Sequence, residues 1–268
     1  MKTRGVDVAD WLRRQVAAAG ARGLVVELSG GVDSAVVARL CQMACPSNVL
    51  GVILPCHSDP QDEADGFMVA DHFAIPAIRI DLSLPYDDLA GGLRAAFAGV
   101  PAGQVPAPPA DARDLSTRMP ILMVQPRLRM PALYFVASSL GYLVAGRLNR
   151  SDLTIGRFTK YGEAAADLLP LGRLMASDVQ ALARALQVPP SIIDRPAGAP
   201  TRTSELANGD RGFTDADLEN YLVNGPGLVQ PALAMRVERF VRSTQHKLGL
   251  PLMPDEDDAQ RAASRRRW

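Results

Sequence analysis

Leu24-Val25-Val26-Glu27-Leu28-Ser29-Gly30-Gly31-Val32-Asp33-Ser34-Ala35-Val36-Val37 holds two periodicities joined by a turn. Residues 24–28 form an apolar, β-branched run of the length of a buried strand, and from Val32 onward the spacing is helical. Between them, Gly30 and Gly31 let the backbone turn sharply and approach a ligand with no Cβ in the way. The helix start that follows presents unpaired N–H groups and the positive end of its dipole. The stretch therefore reads as a phosphate cradle at a strand-to-helix turn. It has neither the Gly-Lys-Ser/Thr ending of a Walker loop nor the three spaced glycines of a dinucleotide fingerprint.

Outward from this turn the pattern alternates. An amphipathic helix over 7–19 precedes it, and strands are expected at 49–54, 77–81, 141–146 and 191–194, with helices at 64–73, 86–97, 121–140 and 176–186. Apolar strands alternating with helices predict a Rossmann-like, doubly wound α/β fold with a parallel sheet of about five strands. The ligand crevice then belongs beyond the carboxyl ends of the strands. The polar segment 148–167, directly after a buried strand, is placed for it. Proline-rich 101–114 and the Pro/Gly/Ser/Thr segment 196–212 read as loops. Thr214-Asp215-Ala216-Asp217 reads as a capping box, and Pro231 as the first turn of a last helix reaching about 247.

The 268 residues, 47% of them hydrophobic, suffice for one substantial core, so residues 1–252 are expected to form a single domain with 253–268 as a flexible tail. Lysine and arginine number 29, as do aspartate and glutamate, which gives no global attraction to nucleic acid or to a membrane surface. With no apolar run of membrane length and no leader pattern, a soluble cytoplasmic protein is expected. The three cysteines argue against a disulfide framework; Cys41 and Cys45, four apart on one helix, read as core packing rather than metal ligands.

Ser29-Gly30-Gly31-Val32-Asp33-Ser34 resembles the pyrophosphate loop of the ATP pyrophosphatases, and further segments resemble the ammonia-dependent NAD synthetases in that family's order. These are Arg127-Leu128-Arg129-Met130, the stretch from Phe158-Thr159-Lys160-Tyr161-Gly162-Glu163 to Asp167, Leu169-Pro170-Leu171, and His246-Lys247. The resemblance runs from about residue 5 to 252 and implies an adenine nucleotide alpha hydrolase-like fold. It implies a ligase that adenylates nicotinic acid adenine dinucleotide (deamido-NAD) with ATP, releases pyrophosphate, and lets ammonia displace AMP to give NAD. By the match, Ser29, Gly30, Gly31, Val32, Asp33, Ser34, Ala35, Val36 and Arg147 would bind ATP. Asp33 and Asp152 would hold Mg²⁺, while Arg127, Lys160, Asp167, His246 and Lys247 would bind the dinucleotide. A homodimer is implied, and with no glutaminase domain expected here, the nitrogen would come from free ammonia or from a separate glutaminase.

The departures from the family pattern gather on the ATP side. Where that family has Gly-Thr-x-x-x-x-Glu, this chain reads Gly146-Arg147-Leu148-Asn149-Arg150-Ser151-Asp152, so a hydroxyl is replaced by a guanidinium and a glutamate by a shorter carboxylate. Ala176 stands in place of a lysine, Pro196-Ala197-Gly198 in place of Pro-Ser/Thr-Ala, and Leu206-Ala207-Asn208-Gly209-Asp210 in place of an acidic loop. Two other readings fit the same motifs: an amide-forming paralogue acting on another carboxylic acid, and a non-catalytic dinucleotide-binding sensor. His57 and His72 receive no role.

Overall fold

Side-chain alternation along β1 (Gly23–Glu27) decides which helices cover which face of the sheet. Leu24 and Val26, with Leu28 just beyond, pack into one cluster with α1 (Lys2–Ala18), α2 (Val32–Ala44) and α3 (Pro60–His72). Val25 points the other way, into a second cluster with α4 (Ser83–Ala98) and α5 (Val124–Leu140). Both faces are thus apolar and covered, as a parallel sheet requires. Trp11 of α1 packs against the first cluster. The computed structural model describes residues 1–101, 103, 120–195 and 212–249. The loops expected at 101–114 and 196–212 lie almost wholly outside the described residues, as does the tail 253–268.

β2 (Val49–Ile53), β3 (Ala77–Arg79) and β4 (Tyr142–Ala145) complete the sheet in the order β3-β2-β1-β4, every pair parallel. Val25 lies opposite Leu50 on one side and Val144 on the other. The chain winds outward from β1 through β2 to β3, then returns to the other side of β1 as β4. This reversal puts the switch-point crevice between the carboxyl ends of β1 and β4. Among the described residues no helix is long and apolar enough to cross a membrane.

The fifth strand expected at 191–194 is corrected: Pro190–Ile193 is a single helical turn, α8. Pro189 and Pro190 fix φ in the helical range and offer no N–H to a ladder, so they start a turn where the Ile192-Ile193 pair alone suggests a strand. Both isoleucines are buried in the first cluster, beside α7 (Ala176–Ala185). Next to β4 stands one parallel bridge, Ala145 to Leu168. The expected capping box is formed: the Thr214 hydroxyl accepts from the Asp217 amide at 3.1 Å at the start of α9 (Asp215–Asn224). The last helix, α10 (Pro231–Thr244), runs into a 3₁₀ turn at Gln245–Lys247.

Two ion pairs tie Arg195, just past α8, to α3. Arg195 places Nη2 2.8 Å from Asp62 Oδ1 and Nη1 2.8 Å from Asp65 Oδ2, and Asp65 is only 4% exposed. Removing the guanidinium leaves a buried carboxylate without its cation. Arg195→Met is expected to destabilise the protein by about 3–5 kcal/mol, read as a lower urea midpoint with an unchanged denaturant slope.

Candidate active site

The turn after β1 is shaped by its hydroxyls and by Gly30. The Ser34 hydroxyl donates to the Gly31 carbonyl at 2.8 Å, and the Ser29 hydroxyl and amide donate to Ser34 Oγ at 3.1 and 3.4 Å. Gly30 has φ +77°, and a Cβ there would lie 2.6 Å from the Asp62 carbonyl oxygen. Only glycine combines that conformation with that approach. The amides of Gly30, Gly31, Val32, Asp33 and Ser34 have no hydrogen-bond partner among the described residues. Five successive unpaired donors at a helix N-terminus form an anion cradle. The Ala35 amide donates to the Gly31 carbonyl, and the Ala35 and Val36 side chains are buried in the core.

Asp33, in the first turn of α2, faces the loop after β4. Asn149 Nδ2 donates to Asp33 Oδ1 at 3.2 Å, although the two lie 116 residues apart. Asn149 also caps α6 (Arg150–Ile155): its Oδ1 accepts from the Asp152 amide at 3.1 Å, and Asp152 Oδ2 accepts from the Asn149 amide at 3.4 Å. One side chain therefore sets the spacing of the two carboxylates. Burial pushes the Asp33 carboxyl above the usual carboxylate range, and the Asp152 charge pushes it further. Asp33 keeps part of its surface in solvent, so crowding by protein atoms rather than full enclosure is the cause. Asp152 Oδ1 accepts from Arg157 Nε at 2.6 Å, and Arg157 continues to Asp215 Oδ1 at 2.9 Å.

Arg147 follows β4 and projects into the same crevice, Nη2 lying 3.8 Å from Glu163 Oε1. With Glu27, Met130, Leu133, Gly146 and Glu163 it lines a small cleft beside the carboxylates. Two carboxylates repelling one another at the mouth of an anion cradle fit a divalent cation, because Mg²⁺ takes one or two protein carboxylates and completes its shell with phosphate and water. Among the described residues no three potential ligands stand together, so the protein alone does not supply a full set.

A second group of cations lies on the 156–163 segment. Arg127 Nε donates to the Lys160 carbonyl at 3.1 Å, and Lys160 Nζ to the His246 carbonyl at 2.7 Å. Lys247 Nζ donates to the Gly156 and Phe158 carbonyls at 2.9 and 3.1 Å, and its burial lowers its pKa. Lys247 thus clasps this segment to the end of α10. Asp167 makes no ion pair among the described residues and accepts from the Tyr134 hydroxyl at 2.9 Å and from the Val144 amide at 2.8 Å. His57 Nε2 lies 2.8 Å from Asp87 Oδ1, and His72 Nε2 lies 2.8 Å from the Gln187 carbonyl.

Asn149, Glu163 and Arg157 were not singled out by sequence reasoning. Asn149-x-x-Asp152 is itself a capping signature and was the available signal; nothing in the sequence pairs Arg157 with Asp152.

The profile of the family described as NAD synthase matches residues 6–251. The chain belongs to the NAD synthase family. It is thereby a ligase that forms a C–N bond. The NH(3)-dependent NAD(+) synthetase of Carboxydothermus hydrogenoformans is 40% identical over 247 residues, covering 92% of this chain and 95% of the relative. That of Syntrophomonas wolfei is 35% identical over 242 residues, covering 90% and 91%. Among solved structures, an NMN synthetase from Francisella tularensis superposes with a TM-score of 0.79 at 27% identity, covering 95% of this chain and 98% of its own. In this NAD synthase family member the anion cradle and the facing carboxylates lie at the crevice where ATP chemistry is expected.

Proposed function

We propose that the chain makes NAD from nicotinic acid adenine dinucleotide, ATP and ammonia. An oxygen of the pyridine carboxylate attacks the α-phosphorus and pyrophosphate leaves. Ammonia then adds to the acyl carbon, AMP departs with that oxygen, and the nitrogen sheds a proton. The observation that carries this reading is the row of unpaired amides from Gly30 to Ser34, set to receive the departing pyrophosphate. Asp33 and Asp152 would hold Mg²⁺, which supplies charge neutralisation on the phosphates. Asn149 holds the two carboxylates in register. Arg147 adds a permanent cation on the phosphate side. Arg127 and Lys160 offer cations to the dinucleotide, with His246 beside them, while Lys247 and Asp167 brace the backbone around that site. A cytoplasmic location, where ATP is supplied, fits this reaction.

A second substrate reading, amidation of nicotinic acid mononucleotide, is suggested by the likeness to the Francisella tularensis NMN synthetase. The two are separated by supplying ATP, Mg²⁺ and ammonium with either acid and quantifying AMP and the amide by chromatography. Faster turnover is expected with the dinucleotide. Preference for nicotinic acid mononucleotide selects the second, and binding with no AMP from either acid contradicts both. Omitting glutamine and any partner protein tests whether free ammonia suffices.

A homodimer fits the outer face of α4 and α5. Leu89, Leu93 and Phe97 recur at helical spacing and are 43%, 46% and 72% exposed; Leu84 and Phe135 are 76% and 74% exposed. Apolar surface gathered in this way marks an interface. Phe97→Asp with Phe135→Asp is expected to give a folded monomer by sedimentation velocity where the wild type sediments as a dimer.

A further inference from the structure

Three arginines reach the acidic crevice between β1 and β4, and they are held differently. Arg129 Nε donates to the Leu54 carbonyl at 3.2 Å and stands 3.4 Å from Glu27 Oε1. Arg157 is fixed by Asp152 and Asp215. Arg147 makes no hydrogen bond among the described residues, although a guanidinium carries five N–H donors. Its closest carboxylate is Glu163 at 3.8 Å, and the charges of Asp152, Glu27 and Asp33 also act on it. The side chain is 37% exposed, and unpaired amides lie on Asp33's own helix turn. A cation held by charge alone, with no bond to fix it, is free to change partners.

We propose that Arg147 is an exchangeable counter-charge: without nucleotide it neutralises the Asp33–Asp152–Glu163 carboxylates, and when ATP arrives with its divalent ion it transfers to a phosphate oxygen. The proposal deepens the reading of the 29–34 loop as an ATP site and rests on it. Its consequence is coupling. The resident guanidinium repels a divalent ion from the carboxylates until a polyanion draws it away, so metal and nucleotide bind as a pair, each raising the other's affinity by the same factor. A neutral side chain at 147 would let the metal bind alone and would deprive the phosphates of a charged hydrogen bond.

The test measures binding rather than turnover. Mn²⁺ is titrated into the nucleotide-free protein by electron paramagnetic resonance, and a non-hydrolysable ATP analogue is titrated into the metal-free protein by calorimetry. Relative to wild type, Arg147→Gln is expected to bind Mn²⁺ about tenfold more tightly and the analogue about tenfold more weakly, the size of one charged hydrogen bond. Arg147→Lys, which keeps the charge as a compact ammonium without the guanidinium fork, should fall between the two in both titrations and replaces the glutamine variant if that does not fold. Unchanged Mn²⁺ affinity, or unchanged analogue affinity, in both variants overturns the exchange. Amide formation by the wild type is assayed separately. Turnover with unshifted affinities removes this proposal alone, whereas no turnover with both shifts present removes the reaction and leaves the exchange standing.

Discussion

Asp33→Asn is expected to abolish AMP release while making the ligand-free protein more stable. The two effects have one cause. Asp33 faces Asp152 across Asn149, and burial together with that like charge raises its carboxyl above the ordinary range. The native state therefore binds this proton more readily than the unfolded chain does. Ionisation of Asp33 opposes folding, and the penalty grows as pH rises from the unfolded value of 3.8 through the higher folded one. Asparagine keeps an oxygen to accept from Asn149 Nδ2 but carries no charge. At pH 7 it should add about 0.5–2 kcal/mol, the usual range for correcting a charge, seen as a higher Tm. The gain should shrink as pH falls through the raised folded value towards the unfolded 3.8, because the wild-type carboxyl takes up its proton over that range. Turnover should fall by about 10³-fold or more, since a ligand of a cation worth several kcal/mol to the transition state is lost. A variant that keeps its rate removes Asp33 from the mechanism.

Gly30→Ala and Gly31→Ala, one residue apart, should fail in different ways. At Gly30 the φ of +77° is strained for any L residue, by about 1–2 kcal/mol, and the new Cβ meets the Asp62 carbonyl at 2.6 Å. The loop or α3 must shift, and a displacement of about 1 Å at a reacting centre lowers rate about 10²-fold. Both Tm and kcat/KM for ATP should drop. At Gly31 φ is −91°, and the closest atom to a Cβ is Ser29 Oγ at 3.8 Å, so the fold accepts alanine. Its methyl would instead stand on the exposed side of the cradle. Tm should hold while ATP affinity falls, and normal ATP affinity in Gly31→Ala would place the phosphates elsewhere.

The strand–turn–helix at 23–44 was legible because side-chain period changes from two to 3.6 within a few residues, and such a change is local. The parallel sheet followed from the same alternation. The strand expected at 191–194 was misread because an Ile-Ile pair is apolar in either conformation, and the two preceding prolines decide for a helical turn. At the site, the anion loop was legible and its partners were not. Asn149 reaches Asp33 only because the carboxyl end of β4 lies beside that of β1, a juxtaposition made by strand order rather than by spacing. Lys247 was legible as a cation, but its bonds to the Gly156 and Phe158 carbonyls depend on where α10 ends.

Catalysis here requires the five amides of residues 30–34 to receive the phosphates of ATP. Titrating magnesium pyrophosphate into ¹⁵N-labelled protein and following the amide resonances of Gly30, Gly31, Val32, Asp33 and Ser34 addresses this directly. These signals should shift together and saturate with one affinity, while the Ala35 amide, already bonded to the Gly31 carbonyl, moves least. Saturation of shifts elsewhere with these five unmoved would contradict it.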